Sequence, residues 1–198
     1  MSNNQIGIIG TGNVGGALRR GLERARQSVR AAGEDKAEVR AVAEWADIVI
    51  LAVPFGALPD VAATIAPLVK GKTIVDVTNA LTEDMKLAVG YTTSGAEELQ
   101  KLLPTAHVVK AFNTQFAQHM DSGRLGEDRL TVFAAGDDAK AKRAVMDLAS
   151  GIGFDVVDAG PLANARLIEP LGYLNIQLGY VLGLGTEIGL ALRRRRTA

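Results

Sequence analysis

The stretch QIGIIGTGNVGG, residues 5–16, decides the fold. Ile6, Ile8 and Ile9 form a short apolar run that is typical of a buried β-strand. The run leads directly into Gly10–Gly15, which has the spacing G-x-G-x-x-G, and a helical apolar pattern begins there. In such a turn the first glycine makes the tight turn, the second lets backbone approach a pyrophosphate, and the third lets helix pack against strand. Strand, turn and helix in this order predict a dinucleotide site with phosphates at the helix N-terminus.

The composition excludes several classes of chemistry and partner. The 198 residues carry 22 Lys and Arg against 22 Asp and Glu, so the formal net charge is zero and we expect no nucleic-acid or membrane partner. There is no cysteine, which excludes disulfides and thiolate catalysis. His107 and His119 lack metal-ligand spacing. No apolar run reaches membrane-spanning length and the N-terminus is predicted to be a strand, so we expect a cytoplasmic protein.

Strand and helix patterns alternate along the chain. Asp47–Pro54 is continuously apolar after its first residue and ends at a proline, as a central parallel strand does. Further strands are predicted at 28–32, 73–77, 106–112, 130–135 and 154–157, with helices between most of them. This order predicts an α/β fold, a Rossmann-type doubly wound and mostly parallel sheet. We divide the chain into a dinucleotide-binding domain, residues 1–158, and a C-terminal helical segment, residues 159–198, that packs on the cofactor crevice.

The turn after the second strand is expected to contact the adenosine ribose. In dinucleotide folds, an acidic residue about 20 positions past the glycines accepts from the 2′-hydroxyl of NAD, whereas a basic residue pairs with the 2′-phosphate of NADP. Glu34 and Asp35 therefore favour NAD, while Lys36 and Arg30 weakly favour NADP. A solvated charged turn is the alternative.

The second crossover looks too short for an ordinary helix. Only residues 37–45 separate the ribose turn from the central strand, whereas a crossover usually needs a dozen or more. We expect a brief strand at 39–42 and a truncated or missing helix, which would leave the adenine site open.

Beyond Asp158 the chain becomes a long apolar helix interrupted by Pro170, which should kink the helix or shift its start. One stripe of this helix is hydrophobic, and core packing is the ordinary interpretation, with a dimer interface as the alternative. The stripe consists of Leu167, Leu171, Leu174, Leu178 and Leu182. The arginines at 193–196 are interpreted as a solvated helix end.

Six blocks of sequence resemble the NADP oxidoreductases that depend on the deazaflavin coenzyme F420, and the related nucleotide-binding domain of six-transmembrane metalloreductases. They are GTGNVGGAL (10–18), ADIVILAVPF (46–55), VDVTNAL (75–81), HVVKAFNT (107–114), DAGPLANARLIEPL (158–171) and GLGTEIG (183–189). The resemblance implies a Rossmann domain whose small helical C-terminal part shapes a hydride-acceptor pocket, homodimers, and NADP as cofactor.

The sequence departs from this family at three places. Family members carry Ser/Thr-Arg after the second strand for the 2′-phosphate, whereas this chain has Gly33-Glu34. The helix that follows is expected to be shorter. This chain shares Asn113-Thr114 with the metalloreductase branch, whereas members that use the deazaflavin have His-Thr there.

We therefore predict an NAD(P)-dependent oxidoreductase that transfers a hydride to a small-molecule acceptor, either a flavin or the F420 deazaflavin. Such a reaction needs two rings held close in a dry crevice more than it needs an acid or a base. The predicted cofactor-binding residues are Gly10, Thr11, Gly12, Asn13, Val14, Gly15, Glu34, Asp35, Lys36, Val53, Pro54, Phe55, Thr78 and Asn79. The predicted residues beside the nicotinamide and acceptor are Asn113, Thr114, Gly136, Pro161, Leu162 and Asn164.

The sequence alone assigns no acid or base. Lys110 and Asn113 are the catalytic candidates. A lysine at a strand end, such as Lys110, is more often a surface or ribose contact. Two other functions stay open. One is an NAD(P)-binding or redox-sensing module without turnover, and the other is a small imine or 3-hydroxyacid dehydrogenase.

Overall fold

The computed structural model describes residues 4–82 and 84–194. Their strands are β1 (Gln5–Ile9), β2 (Ser28–Ala32), β3 (Ile48–Leu51), β4 (Thr73–Asp76), β5 (His107–Lys110), β6 (Arg124–Leu125), β7 (Asp128–Arg129), β8 (Thr131–Gly136) and β9 (Asp155–Asp158). The helices are α1 (Asn13–Arg24), α2 (Lys36–Trp45), α3 (Leu58–Ile65), α4 (Gly95–Leu102), α5 (Ala139–Ile152) and α6 (Ala165–Ile176). No described helix is both long and apolar enough to cross a membrane.

Seven strands form one sheet in the order β2-β1-β3-β4-β5-β8-β9. Strands β1 to β5 are parallel, β8 runs antiparallel to β5, and β9 is parallel to β8. The predicted Rossmann-type, mostly parallel fold is confirmed. The order reverses between β1 and β3, because the chain first adds β2 on one side of β1 and then β3 on the other. Open α/β sheets bind ligands at the carboxyl ends of the strands at such a point.

Both faces of the sheet are covered, which explains why the central strands are apolar throughout. Ile48 and Ile50 pack on the side of α1 and α5, whereas Val49 and Leu51 pack on the side of α2, α3 and α4. Successive side chains of a strand point to opposite faces, so a strand buried on both sides has no polar alternation.

The expectation that the second helix is truncated or missing was wrong. Residues 36–45 form the ten-residue helix α2, whose first turn is capped by the Asp35 carboxylate and which buries Val39, Val42 and Ala43. At 1.5 Å per residue α2 spans about 15 Å, which matches a five-residue strand at about 3.3 Å per residue. A short sheet therefore needs only a short crossover helix.

The C-terminal segment is helical only over its first part, which differs from the single long helix that was predicted. The helix α6 carries Pro170 in its interior, continues as a π-helical turn at Gln177–Val181, and gives way to irregular chain at 182–194. The face that α6 buries contains Ile168, Glu169, Gly172 and Asn175. Arg193 and Arg194 therefore do not end a helix, contrary to the prediction. Positions 195 and 196 lie outside the described residues.

The leucine stripe is not core, contrary to the preferred interpretation. Leu167, Leu174 and Leu182 are 71%, 53% and 67% exposed. The pattern identified an apolar face correctly, but amphipathic periodicity alone does not show what covers that face.

Candidate functional site

The glycine turn lies at the carboxyl end of β1 and carries the geometry that its sequence predicts. Gly10 has φ +108°, and a Cβ atom there would collide with the carbonyl oxygen of Ala52. A Cβ at Gly15 would collide with the carbonyl oxygen of Gly10. Gly12 is the N-cap of α1 and makes no side-chain cap, so the first N–H groups of α1 face outward for a ligand. A Cβ at Gly12 would meet no protein atom within 4 Å, so it would project into open space above the turn.

A groove of about 500 Å³ extends from this turn toward α2 and α3. Glu34 and Lys36 line it on one side, and Asp60, Val61 and Thr64 of α3 line it on the other. Its remaining lining residues are Gly10, Thr11, Gly12, Gly33, Val39, Ala52, Val53, Pro54 and Ala57. The groove therefore connects the glycine turn with the predicted ribose turn.

Asp35 and Arg30 do not line this groove. The Asp35 carboxylate accepts from the Glu38 N–H at 2.9 Å and caps α2. The Arg30 guanidinium stacks over the Trp45 ring at 4.4 Å from its centroid. Of the four charged residues that we considered for the ribose, the structure brings only Glu34 and Lys36 to the groove.

A second cavity, of about 250 Å³, lies on the other side of the glycine turn above β3 and β4. It is lined by Gly12, Asn13, Val14, Ala52, Val53, Pro54, Val77, Thr78 and Asn79, and none of these side chains is ionisable. Thr78 is 4% exposed and its hydroxyl oxygen has no hydrogen-bond partner among the described residues. A buried hydroxyl of this kind costs free energy unless a ligand pairs with it.

A third cavity, of about 530 Å³, was not predicted from the sequence. It lies between the start of α1 and the C-terminal segment, and it is lined by Thr11, Gly12, Asn13, Gly16, Arg20, Ala117, Gln118 and Tyr180. Arg20 could have been found, because it follows Gly16 by one helical turn and shares its face. Tyr180 could not, because its position depends on the π-helical turn.

Three predicted residues near the crevice pack between elements instead. Phe55 does not line either cavity and its ring packs against Gly95 at the start of α4. Asn113 and Thr114 are 2% and 1% exposed beneath α6. The Asn113 side-chain amide donates to the Ile168 carbonyl at 3.2 Å and to Asn79 Oδ1 at 3.4 Å.

Gly136, Pro161, Leu162 and Asn164 were predicted beside the nicotinamide, and the structure contradicts this. Because β8 runs antiparallel to β5, Gly136 pairs with Val109 and the following residues run toward the amino ends of the parallel strands. Strand β9 runs the same way, so residues 161–164 follow at that edge. Leu162 is buried with Leu99 and Leu103 of the α4 end. All four residues therefore lie away from the glycine turn.

Lys110 is sealed inside the protein, where oxygen atoms of three residues surround its ammonium. Its ammonium lies 2.9 Å from Asp76 Oδ2, 3.1 Å from Glu169 Oε1 and 2.6 Å from the Thr78 carbonyl oxygen. Burial lowers the pKa of Lys110, but the charges of the two carboxylates outweigh burial and raise the pKa above its ordinary value. The Glu169 carboxylate also accepts from the N–H groups of Gly95 and Ala96. The cluster therefore joins β4, β5, α4 and α6.

In the described part of the chain, no three His, Asp or Glu side chains are grouped to hold a metal ion. His107 faces Asp138 at 3.8 Å, and His119 Nε2 lies 3.0 Å from the Thr186 carbonyl oxygen. The two histidines therefore have local partners.

Fold and site together define a class. A glycine turn at the start of α1, placed where the strand order reverses, is where Rossmann proteins hold a dinucleotide. Residues 36–80 match the family model described as NADP oxidoreductase, coenzyme F420-dependent. The match covers residues 36–80, which are 45 of the 198 residues, so this part of the chain resembles a family of NADP-dependent oxidoreductases.

Metalloreductases are among the curated proteins that the chain resembles. Residues of the chain are 38% identical to metalloreductase STEAP3 of Rattus norvegicus over 108 residues, which is 54% of this chain and 21% of that protein. The chain thus spans about a fifth of the curated relatives that it matches.

Two solved structures extend the comparison. A protein from Arthrobacter sp. FB24, described as an F420-dependent NADP reductase, superposes with TM-score 0.88 and 27% identity over 96% of this chain and 100% of that chain. Pyrroline carboxylate reductase of Plasmodium falciparum, with NADP bound, has TM-score 0.62 and 17% identity over 90% of this chain and 66% of that chain. The second likeness shows the fold alone.

Proposed function

We propose that the protein transfers a hydride between a nicotinamide dinucleotide and a flat, flavin-like or deazaflavin acceptor. The observation that carries this proposal is that Gly12 borders all three cavities. An extended ligand that crosses the glycine turn would therefore reach the ribose groove at one end and the small cavity at the other. The third cavity opens at the same turn and offers space for a second molecule.

The residues present fit a dinucleotide. The open space above Gly12 and the uncapped N–H groups of α1 suit a pyrophosphate. Val53 and Pro54 would wall the nicotinamide half, and the unpaired Thr78 hydroxyl would hydrogen-bond its amide group. A bound nicotinamide supplies the chemistry as a hydride, that is, a proton with two electrons exchanged with the acceptor ring.

The chain's own contribution to this reaction is placement and exclusion of water. None of the described residues that line the small cavity has an ionisable side chain, and Lys110 is enclosed by its two carboxylates. Hydride transfer does not require an acid or base in the cavity, because it depends on the proximity of the two rings more than on proton transfer by the protein. A dehydrogenase that needs a lysine at the reacting carbon is not supported.

The third cavity is the proposed acceptor site. Tyr180 offers an aromatic ring, which is 63% exposed and packs edge-on against Phe116 at 5.4 Å between centroids. Arg20 contributes a cation to the same cavity. A planar ring with an anionic substituent suits these two groups. The similarity to the Arthrobacter protein supports the deazaflavin over other planar acceptors.

Binding and transfer can be tested in sequence. The purified protein is titrated with NADH and NADPH by nicotinamide fluorescence, and the complex is then mixed with F420 or with FMN. A cofactor deuterated at C4 of the transferred face should pass its label to C5 of the deazaflavin, detected by mass spectrometry. Failure to bind either dinucleotide would overturn the proposal. Binding without transfer to any acceptor would instead show a module without turnover.

Tyr180→Ala distinguishes the acceptor site from the dinucleotide site. We expect it to raise KM for the acceptor and to leave the dinucleotide Kd unchanged. Tyr91→Ala is the matched control, because Tyr91 is 77% exposed and lines none of the three cavities. An equal loss in both variants, or none in Tyr180→Ala, would remove the acceptor from this cavity.

A further inference from the structure

The charges that line the ribose groove do not suit a phosphate. Two carboxylates, Glu34 and Asp60, line it against one ammonium, Lys36. The ionisable lining therefore sums to one negative charge at neutral pH. A 2′-phosphate placed here would carry close to two further negative charges into the groove.

The start of α2 is already neutralised by the protein. A helix N-terminus can bind a phosphate through free N–H groups and its positive dipole end. Here the Asp35 carboxylate accepts from the Glu38 N–H at 2.9 Å, and Glu38 adds a second acidic side chain to the first turn. An incoming phosphate would meet these two carboxylates at the site that could otherwise have held it.

The nearby guanidinium groups are engaged elsewhere. Arg30 stacks on Trp45 at 4.4 Å, and Arg40 donates from Nη1 to the Thr64 carbonyl at 3.1 Å. Neither residue lines the groove. Lys36 alone cannot offer the forked, two-bond recognition that makes arginine the usual phosphate ligand.

Gly33 has no side chain that could donate a hydrogen bond to a phosphate. It lines the groove but has no side-chain hydroxyl, and a Cβ there would lie 3.6 Å from Thr11 Oγ1. At this turn the groove therefore presents a glycine and a carboxylate. A carboxylate is the group that accepts hydrogen bonds from a free 2′-hydroxyl.

From these four observations we infer that this chain prefers NAD(H) over NADP(H), with Glu34 as the residue that selects the adenosine ribose. The inference rests on the proposed dinucleotide site and concerns only which dinucleotide occupies it. Glu34 accepts from the ribose hydroxyls, while Glu34, Asp60 and the capped start of α2 repel a 2′-phosphate.

The test is a binding titration that needs no acceptor. Wild-type protein is titrated with NADH and NADPH at fixed ionic strength, and we expect at least tenfold tighter binding of NADH. Glu34→Arg should weaken the binding of NADH and strengthen the binding of NADPH. The ratio of the two Kd values should shift by on the order of 100-fold, because two charge effects of about 1.4 kcal/mol each are combined. The gain in NADPH affinity should decrease as salt is added.

Glu44→Arg is the matched control. It makes the same charge change near the end of α2, and Glu44 is exposed and does not line the groove. We expect its ratio of Kd values to equal that of wild type. Equal or tighter wild-type binding of NADPH, or an unchanged ratio in Glu34→Arg, would overturn the preference and leave the proposed function standing. Binding of neither dinucleotide would overturn both.

Discussion

At Gly12 the protein presents backbone rather than a side chain to its ligand. The residue caps α1 without a side chain, and the space beyond its Cα is free of protein atoms. Gly10 and Gly15 are needed for a different reason, because a Cβ at either would strike a carbonyl oxygen of the protein itself. Within one motif, Gly10 and Gly15 are therefore needed for folding, whereas Gly12 is needed for binding.

Gly12→Ala should separate these two roles. We expect an unchanged midpoint of thermal unfolding but about tenfold weaker dinucleotide binding, equivalent to about 1.4 kcal/mol, since the added methyl occupies the space meant for the pyrophosphate. Calorimetry and fluorescence titration measure the two quantities. Gly56→Ala is the control, because its Cβ also meets no atom within 4 Å but Gly56 borders none of the three cavities. Undiminished binding by Gly12→Ala would contradict the placement of the phosphates.

Asp35 shows what a residue-level rule can and cannot predict. Spacing from the glycines made both Glu34 and Asp35 candidates for the ribose, and spacing alone does not separate adjacent carboxylates. The structure separates them, because Asp35 caps α2. A local signal existed: Asp35 precedes Glu38 by three residues, the spacing of a capping pair at a helix start. It was missed because residues 37–45 were not expected to form a full helix.

At the scale of elements, the direction of β8 decides where the C-terminal chain begins. Its apolar pattern predicted a strand at the right place. The pattern carries no information on whether the strand runs parallel or antiparallel to its neighbour, because side chains alternate between the two faces in the same way in both directions. The connection from Gln115 to Leu130, which contains β6 and β7, is long enough for either direction. The antiparallel pairing with β5 then sends residues 158–164 to the amino edge of the parallel strands, so the predicted pocket residues lie there.

Helix α6 returns from that edge to the crevice, and it is held to α4 along the way. Near its start, the Arg166 guanidinium donates two hydrogen bonds to the Glu97 carboxylate at 2.8 and 2.6 Å. One turn further, Glu169 accepts from the first N–H groups of α4. Both contacts position α6, and with it the turn that carries Tyr180, relative to the sheet.

The Glu97–Arg166 pair predicts a pH dependence of stability. The hydrogen bond from Arg166 lowers the pKa of Glu97 below its ordinary value. A lowered folded-state pKa contributes stability that is complete above the unfolded-state value of about 4.3 and is lost as pH falls through the folded-state pKa. Glu97→Gln should therefore be less stable than wild type at pH 7 by urea unfolding, with the difference shrinking below about pH 4.

The effect at pH 7 should be small, because solvent screens a pair that is partly exposed. Glu127→Gln is the control, since Glu127 is exposed and its side chain has no ion-pair partner among the described contacts. A difference between wild type and Glu97→Gln that persists unchanged at acid pH would show that the ion pair does not hold α6.

At the scale of the whole molecule, the exposed leucines of α6 and the segment after it form an apolar face without a cover. It comprises Leu167, Leu174, Val181, Leu182 and Leu184, each more than half exposed. Several exposed apolar side chains in one part of the chain indicate an interaction surface. Tyr180 belongs both to this region and to the proposed acceptor cavity. A second copy of the chain seated on this face would shield the cavity from water, and the family resemblance implies dimers.

We therefore expect a homodimer formed through this apolar face, and Leu174→Glu should convert it to a monomer in light scattering coupled to size exclusion. A buried charge without a partner is costly at an interface, whereas the same charge on a free surface is not. Leu102→Glu is the control, because Leu102 is also an exposed leucine, 44% accessible, but lies at the end of α4. If closure by the partner matters for hydride transfer, the monomer should bind dinucleotide normally yet have a raised KM for the acceptor. A wild-type monomer, or a Leu174→Glu dimer, would contradict this assembly.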